Sequence, residues 1–191
     1  MRCAGRELWE WSAEVLAAVC DELVLAVPAG CEAPRGSERR VVGGASRSES
    51  VRNVLATIGD DAEVVVVHDA ARPFVTRELV ERCIAEVRAG FDGAIAAARV
   101  RDTIKEADSD LRVIGTLDRS RLWAIQTPQA FRADVLRRAL DAADAAALAA
   151  ATDDAALVEA AGGSVRVVEA PSRNFKVTDP DDLKLAEALL C

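Results

Sequence analysis

Four consecutive valines, Val64 to Val67, constrain this chain more than any other stretch. The run is too short for a helix and β-branched throughout, which marks a strand covered on both faces. Strand-like stretches of similar length recur at Leu23–Val27, Gly93–Ala98 and Val165–Val168, with helix-like stretches between them. Leu8–Cys20 sets Leu8, Val15, Leu16 and Val19 near one helical stripe, and Val41-Val42 leads through Gly43-Gly44 into a helix running to Ile58. Ser46 and Glu49 have the spacing of a capping box at its start. Further helices are expected over Thr76–Ala89, Ala133–Ala151 and Thr152–Ala161. A last one should follow Thr178-Asp179-Pro180, with Pro180 in the first turn and Asp179 or Thr178 as cap. Such alternation predicts one α/β domain over residues 1–191 with a mostly parallel sheet, whose ligands bind beyond the carboxyl ends of the strands.

Residues 100–126 break the alternation. They mix strand-like pieces with a turn-like Asp108-Ser109-Asp110, which predicts an antiparallel excursion and a candidate oligomerisation arm.

A net charge of −8 disfavours nucleic acid or an anionic membrane as partner, so a phosphorylated ligand needs a local cationic pocket. Apolar residues make up 51% of the chain, yet no apolar run approaches the roughly eighteen residues of a spanning helix. Residues Met1 to Arg6 carry no secretory pattern, and the expected location is the cytoplasm. The five cysteines, Cys3, Cys20, Cys31, Cys83 and Cys191, are scattered and accompanied by a single histidine, which reads as reduced thiols and no zinc site.

Three segments could carry chemistry. In HDAARP (68–73), Asp69 and Arg72 stand just beyond a buried strand, where Asp69 could hold a divalent cation or orient a phosphate and Arg72 could clamp phosphate oxygens. An Asp-Arg pair that ties down a loop fits the same residues. In GGASR (43–47) with Ser50, the glycine pair before a helix start suits an anion, and an ordinary tight turn suits it equally. Lys176 lies close before the final helix, against the macrodipole, and so calls for an anionic partner unless it is a solvated loop lysine. For His68 and for Trp9, Trp11 and Trp123, packing or plain surface is the default.

Taken together, GGASRSESV (43–51), VHDAARPFV (67–75), VRDTIK (100–105), LDRSRLWAIQTPQAF (117–131), ATDDA (151–155) and NFKVTDPDDLKLAE (174–187) resemble the 2-C-methyl-D-erythritol 4-phosphate cytidylyltransferase family in order and spacing. The resemblance implies a Rossmann-like fold with helices on both faces of the sheet, an extended β-arm and a homodimer. It also implies Mg²⁺-dependent transfer of a cytidylyl group from CTP to a sugar-alcohol phosphate. Gly44, Arg47 and Ser50 match the cytidine-side segment. Asp69 matches the position that orients substrate and helps hold metal, Arg72 a sugar-phosphate contact, and Lys176 the lysine near the α-phosphate. Thr103, Arg119 and Thr127 fall in the arm region, which the family sends to its partner's site to bind the sugar phosphate.

The family pattern also includes an opening strand, a glycine-rich loop with an arginine, and a Pro-Lys pair. Cys3 to Ser12 resembles the segment just after that loop, so the expectations are that Met1 is an internal methionine and that the sheet has an open slot for a central strand. Ala45 replaces an often acidic residue. A pentitol phosphate such as ribitol 5-phosphate is the alternative acceptor, and a non-catalytic sugar-phosphate-binding paralogue is the alternative class.

Overall fold

The computed structural model describes residues 1–30 and 39–190. A small hairpin opens the chain, pairing β1 (Arg2–Cys3) with β2 (Arg6–Glu7) through a turn at Ala4 and Gly5, both at positive φ. Then follow α1 (Leu8–Ala17), β3 (Val24–Val27), β4 (Arg39–Val42), α2 (Arg47–Leu55), β5 (Val64–Val67), α3 (Arg77–Arg88) and β6 (Gly93–Arg99). The arm carries β7 (Lys105–Ala107) and β8 (Val113–Thr116). The rest is β9 (Trp123–Arg132), α4 (Ala133–Ala142), α5 (Ala145–Ala150), α6 (Asp154–Ala160), β10 (Val165–Glu169) and α7 (Pro180–Leu190).

The main sheet is mixed rather than mostly parallel. Its order is β10-β6-β9-β5, and β9 runs antiparallel to both β5 and β6. The segment LWAIQT, expected in the arm, therefore belongs largely to a ten-residue central strand. Pro128 obscures this in the sequence, because proline cannot donate to a ladder. It is tolerated here because the register between β6 and β9 shifts between Ile95 and Ala97, beside Pro128. The expected Ala133–Ala151 helix is likewise two helices, broken where Asp144 accepts a 2.7 Å bond from Ala147 N and starts α5.

Alternation along the strands divides the core. Val65, Val67, Ile95 and Phe131 face Leu136, Leu140, Leu148 and Val158, from α4, α5 and α6. Val64, Val66, Ala94, Ala96 and Ala130 face Leu79, Cys83 and Val87 of α3. The four valines thus meet a helical layer on each side, though all four stay half-buried beside the cavity described below. Burial pushes the Cys83 thiol up to about 12, leaving it an inert packing group. Cys20 and Cys83 are free thiols and Cys3 is buried, while Cys31 and Cys191 lie outside the described residues.

Strands β3 and β4 form a separate parallel pair. Among the described residues no ladder joins β3 to β5, and a cavity of about 680 Å³ lies against both. Val24, Leu25 and Ala26 line it on one side and Val64 to Val67 on the other; Arg47, Ser50 and Asp69 also line it.

Candidate functional site

Strand β5 ends at Val67 and delivers Asp69 to the end of the sheet. Its Oδ1 lies 3.4 Å from Nε of Arg47, and its Oδ2 lies 3.5 Å from Nε of Arg72 and 3.2 Å from Nζ of Lys176. Arg47 opens α2, Arg72 sits in the turn after β5, and Lys176 precedes α7, so segments remote in sequence converge on one carboxylate. Burial alone would raise the pKa of Asp69, but Lys176 and Arg47, with Arg72 behind them, bring it below the usual aspartate value. Asp69 is therefore the anionic partner that Lys176 called for. Cations outnumber this carboxylate, which creates an anion-attracting spot in a chain of net charge −8.

Arg47 has a second anchor. Its Nη1 donates to Oδ2 of Asp154 at 2.7 Å. At the start of α2, Ser46 accepts from Glu49 N at 3.1 Å and Glu49 accepts from Ala45 N at 2.7 Å, so the Ser46–Glu49 pattern does shape the helix entry. Ser50 bridges the turn, accepting from Gly44 N at 3.0 Å and donating to the Ser46 carbonyl at 2.9 Å. A Cβ on Gly44 would come within 2.3 Å of the Glu49 Cβ, so this tight turn requires glycine.

Beneath the charges lies a neutral floor. Thr127, 3% exposed, belongs to the central strand β9 rather than to the arm, and its hydroxyl accepts from Asp69 N at 3.0 Å. The same oxygen lies 3.1 Å from Nδ1 of His68, whose Nε2 lies 3.1 Å from the Arg72 carbonyl. A carbonyl only accepts, so Nε2 carries the proton and Nδ1 accepts the Thr127 hydroxyl. Burial, against the pull of that carbonyl and of Asp69, lowers the His68 pKa to about 4 and keeps the ring neutral. Buried Asn174 donates to Gln126 Oε1 and to the Thr127 carbonyl, both at 2.9 Å, while its own carbonyl accepts from Arg72 Nη1 at 2.9 Å.

The family model for 2-C-methyl-D-erythritol 4-phosphate cytidylyltransferase matches residues 1–191. The chain belongs to this family. The bifunctional IspD/IspF enzyme of Anaeromyxobacter dehalogenans is 47% identical over 199 residues, a match spanning 97% of this chain and 50% of that protein. The cytidylyltransferase of Deinococcus radiodurans is 44% identical, over 97% of this chain and 78% of its own length. Among solved structures, the Thermus thermophilus cytidylyltransferase superposes with a TM-score of 0.89 at 36% identity, covering 99% of this chain and 91% of that one. The chain spans 50%, 55% and 63% of the lengths of three curated relatives, from Anaeromyxobacter, Frankia and Rubrobacter.

Of the residues expected from the family resemblance, Asp69, Arg72, Lys176, Arg47, Ser50 and Gly44 gather at one end of the sheet. Thr103 and Arg119 do not. Thr103 is exposed before β7, and Arg119 sits in a short turn of the arm, donating to the Arg101 carbonyl. Sequence reading left His68 as packing or surface and gave Asn174 and Asp154 no role of their own. All three lie inside the family-like VHDAARPFV, NFKVTDPDDLKLAE and ATDDA, where Asp154 looks no different from a helix cap.

Asp69 is the carboxylate of this cluster that could hold a divalent cation. Among the described residues no group of three or more His, Cys, Asp or Glu side chains could hold a metal. One carboxylate fits Mg²⁺ of the kind held by one or two carboxylates and otherwise by substrate phosphates.

Proposed function

We propose that the protein transfers a cytidylyl group from CTP to 2-C-methyl-D-erythritol 4-phosphate, releasing pyrophosphate, in isoprenoid precursor synthesis. The observation that carries this reading is Asp69 ringed by Arg47, Arg72 and Lys176 at the open end of β5, within a chain that belongs to the cytidylyltransferase family.

A phosphate oxygen of the acceptor attacks the α-phosphorus of CTP in line, and the bond from that phosphorus to the pyrophosphate oxygen breaks. Neither a covalent intermediate nor a general base is needed, so positioning and charge neutralisation supply the acceleration. Lys176 neutralises charge growing at the α-phosphate, and its 44% exposure leaves it free to exchange Asp69 for a phosphate oxygen. Gly44, Arg47 and Ser50 hold the nucleotide side, and Arg72 holds the acceptor phosphate. Asp69 orients the cluster and would hold Mg²⁺, which when bound draws charge from the triphosphate. Thr127 is best read as a positioning residue, since its hydroxyl fixes the backbone of Asp69.

Thr103 and Arg119 enter through a homodimer in which one protomer's arm reaches its partner's site. Exposed Leu111, Val113 and Ile114 on that arm support this reading. No described helix is long and apolar enough to cross a membrane, and the cytoplasm is the proposed location.

The test is pyrophosphate release from CTP and Mg²⁺ with 2-C-methyl-D-erythritol 4-phosphate or ribitol 5-phosphate. Turnover of the first at a higher kcat/KM is the expected result. Preference for the second replaces the acceptor, and a folded protein inert toward both is a non-catalytic relative.

A further inference from the structure

Asp154 is 0% exposed, and its Oδ1 has no hydrogen-bond partner among the described residues. A carboxylate is costly in such a place unless something holds it. Helix capping does not explain it, because Asp153 already caps α6, accepting from Ala156 N at 2.9 Å. Among the described residues the single polar contact of its side chain is the 2.7 Å bond from Nη1 of Arg47, contributed by a helix 107 positions away in sequence. Arg47 in turn has its Nε 3.4 Å from Asp69, and a third of its side chain remains exposed. The order is carboxylate, guanidinium, carboxylate, with the closer contact on the buried side.

A guanidinium is planar and presents its donors in a fixed fork, so pinning one edge sets the direction of the others. With Asp154 present, Arg47 is anchored from below and meets Asp69 only loosely. Without it, Asp69 would be the remaining anionic anchor, and Arg47 would close on that carboxylate in competition with Lys176 and Arg72.

We infer that Asp154 is a positioning residue: it holds the Arg47 guanidinium off Asp69 and aims its exposed edge at the nucleotide. The inference rests on the proposed function, in which Arg47 belongs to the nucleotide side. Asp153 ties the same helix start to the floor, its Oδ2 accepting from Gln129 Nε2 at 3.0 Å, so the anchor itself is fixed.

Steady-state kinetics and equilibrium CTP binding on Asp154→Asn, Arg47→Ala and the double variant test it. Asp154→Asn is expected to raise both the KM and the Kd for CTP by about tenfold to a hundredfold, the scale of misplacing a binding group by an ångström, while leaving the acceptor KM within about twofold. In the Arg47→Ala background the same change adds nothing further. Asp154→Glu, which keeps the charge but moves it by a methylene, gives an intermediate value and replaces Asp154→Asn if the amide variant does not fold. A folded Asp154 variant with a lower Tm but unchanged CTP constants overturns the positioning role, as does a full further loss in the double variant. Wild-type protein that binds no CTP overturns the proposed function and this inference together. Wild-type protein that binds and turns over CTP, beside a variant that matches it, overturns the inference alone.

Discussion

Around Asp69, side chains from α2, the turn after β5 and the segment before α7 meet within 3.5 Å of one carboxylate. The β7–β8 arm has no such convergence: it is a three-residue strand paired with a four-residue one, with Leu111, Val113 and Ile114 86%, 57% and 59% exposed. The first region is complete within one protomer, because its charges need partners to be buried at all. The second presents apolar surface and holds Thr103 and Arg119 away from Asp69. The family-like residues therefore spread over a region that organises itself and a region that, in the proposed homodimer, a second molecule completes.

The largest effect should come from the first region. Lys176→Met is expected to lower kcat by about a hundredfold or more in pyrophosphate release, with little change in Tm, since it removes charge stabilisation at the reacting phosphate. A loss under tenfold would remove the cluster from the reaction. The second region is tested by mixing. Lys176→Met and Arg119→Ala proteins, each inactive alone, should recover up to about a quarter of wild-type activity once exchanged, because random pairing makes half the molecules mixed and gives each one intact site. No recovery would mean that Arg119 serves its own protomer or none.

A smaller effect should follow from charging the arm. Ile114→Asp is expected to raise the dimer dissociation constant at least tenfold in analytical ultracentrifugation while the thermal stability of the protomer is kept. An unchanged constant would move the interface elsewhere.

The last effect is one on stability and concerns the floor. His68 is the chain's single histidine, and its folded pKa of about 4 lies below the ordinary 6.5. Below pH 6.5 the unfolded chain takes up a proton that the folded ring refuses, so stability falls as pH drops toward 4. The loss between pH 7 and pH 5 is about 2 kcal/mol. His68→Gln should flatten that slope in urea titrations at the two pH values; an equal slope would mean the ring is open to water.

Much of this was legible in local pattern. The valine run, the Ser46–Glu49 helix entry and Asp179 at the last helix, where it accepts from Asp181 N and Asp182 N, depend on neighbours a few residues away. Lys176 asked for an anion on electrostatic grounds, and Asp69 answers at 3.2 Å. What stayed hidden depends on distant pairing. A strand containing Pro128 reads as an edge until its partners on both sides are known, and Thr127, which the family resemblance set in the arm region, lies in that strand. Asp154 carries the local signature of an ordinary helix start, and only the arrival of Arg47 from α2 gives it a separate role.

The double antiparallel pairing of β9 has a kinetic consequence. Strands β5 and β6 emerge one after the other during synthesis, yet neither hydrogen-bonds the other; each waits for β9, which begins at Trp123. Until then the valine strand is a nascent apolar segment with no ladder on the β9 side, shielded by α3 and by whatever binds nascent chains. Closing the sheet is thus a late event that joins segments distant in sequence, and the valine strand lacks that ladder until β9 has left the ribosome.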